Sequence, residues 1–92
     1  MFLGCIKFEI FIPHSRSLKE KRQVVESIKQ KLCNNFNVSV AIKPSCKWQH
    51  CELSLAVINY DKNFINKIFD RLEKFVRFNN AVQILNVEKE II

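Results

Sequence analysis

The stretch "FLGCIKFEIFIPHSRSLKE", residues 2–20, changes its hydrophobic period part-way along. Phe2, Ile6, Phe8, Ile10 and Ile12 occupy even positions and form one apolar face, while Leu3, Cys5, Lys7, Glu9 and Phe11 form a mixed one. Successive side chains of a strand point to opposite sides, so this period of two predicts a β-strand with one side buried. Pro13 ends it, because proline has no amide hydrogen for the ladder. Ser17-Leu-Lys-Glu20 then has the capping-box form, in which the serine hydroxyl accepts from the Glu20 amide and the Glu20 carboxylate reaches back. A helix is predicted from Leu18.

Outward from this stretch, Leu18, Val25, Ile28 and Leu32, with Val24 beside them, repeat at helical spacing until "CNNFN", residues 33–37, where asparagines favour a turn. The period of two returns in "VSVAI", 38–42, and "CELSLAVI", 51–58. The two strands are joined by "KPSCKWQH", 43–50, which is too long for a tight hairpin turn and so predicts an antiparallel pair with a protruding loop. Asn59 or Asp61 can cap a second helix, whose stripe of Phe64, Ile65, Ile68, Phe69, Leu72, Phe75 and Val76 lies opposite Lys67, Arg71 and Lys74 and runs out at Asn79-Asn80. "AVQILNVEKEI", 81–91, alternates less regularly and reads as a last strand.

The order is therefore βαββαβ. Two right-handed crossovers place both helices on one face of a four-stranded antiparallel sheet in the order 4-1-3-2, an α+β, ferredoxin-like sandwich or alpha-beta plait. Ninety-two residues, 48% of them hydrophobic and eight of them Phe, suffice for one core, so residues 1–92 are expected to be a single domain.

Fifteen Lys and Arg against nine Asp and Glu leave a net charge of +6, which attracts phosphate-rich partners or serves solubility alone. The first residues lack the basic start and cleavage site of a signal peptide, and no apolar run approaches the roughly 20 residues of a membrane span, so a cytoplasmic protein is expected. In that compartment Cys5, Cys33, Cys46 and Cys51 are expected as thiols, with Cys33 and Cys51 in or near the core. "CKWQHC", 46–51, has two cysteines and His50 but no second closely spaced ligand pair, so no metal and no cofactor is expected.

"PHSRSLKEKRQ", 13–23, holds Arg16, Lys19, Lys21 and Arg22 around the predicted helix start. A helix N-terminus suits an anion, but basic side chains in a first turn oppose the helix dipole, so their choice is informative. At about 100° per residue Lys21 falls inside the apolar stripe, Arg22 at its margin and Lys19 outside it. The Lys21 stem is expected to cover the helix and sheet edge while its ammonium reaches water or pairs with Glu88 or Glu90. That leaves Arg16, Lys19 and Arg22, with Lys43 and Lys47 in support, as charges the fold does not use. Trp48, beside Lys47, either stacks on a base or folds back as a lid over the sheet or into a dimer interface.

The open face of the two central strands offers Phe11 as its one aromatic, which does not fit base stacking of the RNA-recognition-motif kind. Its small and apolar side chains suit a second subunit, so a homodimer is expected. No nucleophile elbow, phosphate-binding glycine loop or His-x-x-x-His run is found, and adjacent His50 and Cys51 point to opposite strand faces. No enzyme is expected.

"RSLKEKR" (16–22), "FNVSVA" (36–41), "WQHCEL" (48–53) and "NVEKEI" (86–91) together resemble the corresponding blocks of the YlxP-like family, small bacterial proteins of unknown function. The resemblance implies a ferredoxin-like fold. Because members are often encoded near genes for translation initiation and ribosome maturation, it also implies a connection to RNA or the ribosome. Ile42, Lys43 and Lys47 depart from the acidic residues that the family pattern has after "NVSVA". The expected function is a binding module for RNA or a ribosomal particle; the rival is a structural or regulatory protein whose partner is another protein.

Overall fold

The computed structural model describes residues 1–92, in the order β1 (Phe2–Phe11), α1 (Leu18–Asn35), β2 (Ser39–Ile42), β3 (His50–Asn59), α2 (Lys62–Arg77) and β4 (Gln83–Ile91). The strands form one antiparallel sheet in the order β2-β3-β1-β4, the ferredoxin-like arrangement that the sequence pattern predicts. β1 sits at the centre, pairing with β3 from Phe2↔Asn59 to Phe11↔His50 and with β4 from Gly4↔Ile91 to Phe11↔Gln83.

The even face of β1 is the buried one: Ile6, Phe8, Ile10 and Ile12 are all within 1% of full burial. They pack with Leu53, Leu55 and Val57 of β3, with Val25, Ile28 and Leu32 of α1, and with Ile65, Ile68, Phe69, Leu72 and Val76 of α2. Gly4 belongs to this face for reasons of space. A Cβ built there would lie 2.5 Å from Ile65 Cγ2 and 2.9 Å from Phe69 Cζ, so its bare backbone lets α2 approach β1.

Local signals account for the element ends. Ser17 caps α1 by accepting from the Glu20 amide at 3.1 Å, and the Glu20 carboxylate accepts from the Arg16 amide at 2.6 Å, one residue ahead of the cap. Asp61, rather than Asn59, caps α2, while Asn59 accepts from the Asp61 amide. The weak alternation of the last strand has a structural cause. The pairing passes from Glu9↔Asn86 to Ile10↔Ile84, so Leu85 is an extra, half-exposed residue. That bulge sets Ile84 and Val87, three apart, on the same inner side.

Two expectations for α1 are corrected. Cys33 is exposed rather than near the core, because it follows Leu32 and so turns off the stripe of Val25, Ile28 and Leu32. Lys21 meets neither Glu88 nor Glu90. Those carboxylates stand opposite Lys7 and Cys5 on the open side of the sheet, on the strand farthest from β2, and Glu88 pairs with Lys7 at 3.6 Å. No helix is long and apolar enough to cross a membrane.

Candidate functional site

Lys21 is 5% exposed, and its ammonium donates to the carbonyls of Ser45 at 3.3 Å and Lys47 at 2.8 Å. The 43–49 loop is thus hydrogen-bonded to the first turn of α1. Two further bonds fasten it to the end of β1: the Ile12 amide donates to Gln49 O at 2.8 Å, and Gln49 Nε2 donates to Pro13 O at 3.2 Å. Within the loop, Ser45 Oγ accepts from the Lys47 amide. A lysine in the apolar stripe is thereby explained: its stem passes through the helix–sheet layer, and its charge ends on backbone oxygens.

This clasp brings the loop carrying Lys47 and Trp48 to the helix start carrying Arg16, Lys19 and Arg22. The four ion pairs of the chain are Lys7–Glu88, Lys43–Glu52, Arg77–Glu73 and Lys89–Glu73, so Arg16, Lys19, Arg22 and Lys47 have no acidic partner. All four are exposed. Trp48 is 56% exposed. Lys43 differs from the rest, since it lies 3.9 Å from Glu52 at the edge of the sheet's open side.

That open side is less apolar than the two central strands suggest. Glu9 and Glu52 face one another across β1 and β3, and β4 adds Glu88 and Glu90. Glu9, Glu52, Glu88 and Lys7 occupy one end and Leu3, Ile58 and Ile92 the other, where Ile58 is 60% exposed, with Cys5, Ala56 and Glu90 in a row between them. The charged end borders a hollow of about 520 Å³ that also holds Lys43, Lys47, Cys46 and His50. His50 lies against the Phe11 ring at 5.6 Å. Cys51 points the other way into the core, where burial pushes its thiol above the ordinary value and the Lys21 ammonium partly opposes the shift.

The chain matches, over residues 3–89, the model of a family described as "Protein of unknown function (DUF503)". The chain belongs to that family. No curated protein matches it. Among solved structures, the de novo designed protein Foldit4 is 14% identical, with a TM-score of 0.52 over 98% of this chain and 96% of that one. At such identity the likeness shows the fold alone, and the site of this DUF503 member has to be read from its own residues.

One feature of those residues escapes the sequence pattern. A groove of about 700 Å³ lies between the helices, lined by Lys31 and Phe36 at the end of α1 and by Arg71, Lys74, Phe75 and Phe78 along and just past α2. Sequence periodicity assigns Arg71 and Lys74 to a solvated face and Phe75 to the core stripe. The available signal was the spacing Arg71, Lys74, Phe75, Phe78, which runs along one helix flank and continues beyond the last turn.

Proposed function

We propose that the protein is a non-enzymatic binding module of the cytoplasm that contacts RNA, free or within a ribosomal particle. It does so through the basic surface where the 43–49 loop meets the start of α1. One observation carries this reading: Lys21, spent on two carbonyls, joins the exposed Trp48 and Lys47 to Arg16, Lys19 and Arg22, none of which has an acidic partner. Cations beside an exposed indole match a nucleic-acid strand, whose phosphates take the charge and whose bases stack. Lys43, paired with Glu52, contributes at the margin. The resemblance to the YlxP-like family, with its ribosome-associated gene neighbours, supports the same partner.

The segregation of sign supports it further. The exposed surfaces of the helices carry Lys19, Arg22, Lys31, Lys62, Lys67, Arg71, Lys74 and Arg77 against Glu20, Glu26 and Asp70, with Asp61 at the cap of α2. The open sheet face instead carries four carboxylates against Lys7 and Lys43. A polyanion is drawn to the helix side, and the loop cations Lys43 and Lys47 stand at the boundary with Glu9 and Glu52.

RNA binding measured between about 50 and 200 mM salt is expected to weaken along a log–log slope of about −0.7 to −0.9 per neutralised phosphate. Replacing Arg16, Lys19 and Arg22 together with glutamine should reduce the magnitude of that slope by about two to three. Absence of binding at low salt removes the proposal. Salt-insensitive capture of a protein in its place supports the rival reading, in which the charge serves solubility.

The apolar end of the open face supports a homodimer, since Leu3, Ile58 and Ile92 together form a surface that a second copy covers. Sedimentation is expected to report a dimer that Ile58→Glu converts to monomer; a wild-type monomer at every concentration ends this part of the proposal.

A further inference from the structure

The groove between the helices has a composition that neither the fold nor the loop–helix surface uses. Its floor holds the Phe36 and Phe75 rings, set edge to face with centroids 5.7 Å apart and planes at 85°. Phe78 stands beside them and is 78% exposed. A single exposed phenylalanine is ordinary, but this one caps a helix directly beside Arg71 and Lys74, with Lys31 across the groove.

None of these three cations has an acidic partner within ion-pair distance. Helical spacing on α2 offers them Asp70, one turn before Lys74, but it makes no ion pair, and Glu73 is engaged elsewhere. Glu73 meets Lys89 of β4 at 3.1 Å and Arg77 at 3.0 Å, and hydrogen bonding to Lys89 leads the effects that hold its carboxyl below the ordinary value. The groove therefore keeps three cations outside any ion pair beside an exposed ring.

Two asparagines close its end. Asn79 accepts from the Ala81 amide at 2.9 Å through its oxygen, and neither its NH₂ group nor the Asn80 side chain has a protein partner. Amide groups of this kind read the edges of bases.

We propose that this groove is a second, separate RNA site that takes a short single-stranded segment, one base stacking on Phe78 while the flanking phosphates meet Lys31, Arg71 and Lys74. Charge complementarity selects the occupant. An apolar protein segment would fit the rings but strand three cations, and a duplex hides the base faces that Phe78 is placed to meet. The site lies along the helices, apart from the 43–49 loop, so it stands or falls independently of the contacts made by Arg16, Lys19 and Arg22.

The test is fluorescence anisotropy with an unstructured pyrimidine oligoribonucleotide, a duplex of equal length and uridine monophosphate as probes. The single strand is expected to bind tighter than the duplex. Phe78→Ala should weaken it about tenfold, with no change in the denaturant midpoint because the ring is exposed. Gln at Lys31, Arg71 and Lys74 together should reduce the salt slope by about two, as the triple substitution at the helix start does separately. Single-strand affinity unchanged by Phe78→Ala and by the groove triple variant overturns the groove and leaves the loop–helix surface standing. Uridine monophosphate binding as tightly as the oligonucleotide overturns the strand assignment. No binding of any probe at low salt overturns both sites.

Discussion

Phe8→Ala is expected to lower the unfolding free energy by about 3–5 kcal/mol. Phe8 is fully buried on the central strand, flanked by Leu53 of β3 and Val87 of β4, so no neighbour can collapse into the vacated space without disturbing two ladders. A domain of this size holds on the order of 5–15 kcal/mol in total, and the variant keeps little of it. The control is Phe11→Ala, three positions along the same strand, whose ring lies on the open face against His50. It should cost about 1 kcal/mol or less, comparable to an exposed substitution. Urea midpoints at unchanged m-value measure both. Equal losses would mean that the two faces of β1 are wrongly assigned.

Lys21→Met is expected to separate local from global stability. The stem stays and the charge goes, so the desolvation cost of the buried ammonium is recovered while two carbonyl bonds are lost. The Ser45 and Lys47 carbonyls belong to an exposed loop and regain water, so the two effects offset and the unfolding midpoint moves little. The loop loses its hold on α1, which at about 1.5–3 kcal/mol for bonds to a charged donor makes local opening on the order of ten- to a hundred-fold more frequent. Hydrogen exchange at the Ile12 and Lys47 amides reads this directly, and RNA affinity should fall with it. Unchanged exchange at both amides would mean that Lys21 is not what closes the loop.

The two substitutions mark the boundary of what sequence could show. Phe8 was legible as core because a period of two repeats over ten residues, and the helices because Ser17-to-Glu20 and Asp61 announce their starts. Lys21 was legible as anomalous but not in its partner, since a side chain ending on the carbonyls of residues 45 and 47 leaves no mark on those residues' identity. Glu88 looked suitable by charge; only the sheet order shows it to be on the far side. The last strand was legible but its irregular alternation was not explained, because one bulged residue, Leu85, shifts the phase along it. Arg16, Lys19, Arg22 and Lys47 were found by charge without a structural use. The groove was not, because its residues come from the ends of two helices that each look ordinary alone.

The position of β1 bears on how the chain acquires its structure. Its two neighbours are β3 and β4, and its outermost bonds join Leu3 to Ile92, amide to carbonyl in both directions at 3.0 and 2.8 Å. A nascent chain can form the β1–β3 pairing and shelter it under α1 early, but one side of its central strand stays an unpaired template until β4 is made. Such long-range closure slows folding and exposes a strand edge while it waits. Synthesis, not only thermodynamics, should therefore set the yield of this protein. Shortening β4 from its C-terminal end should harm solubility before it harms the residues of the basic surface.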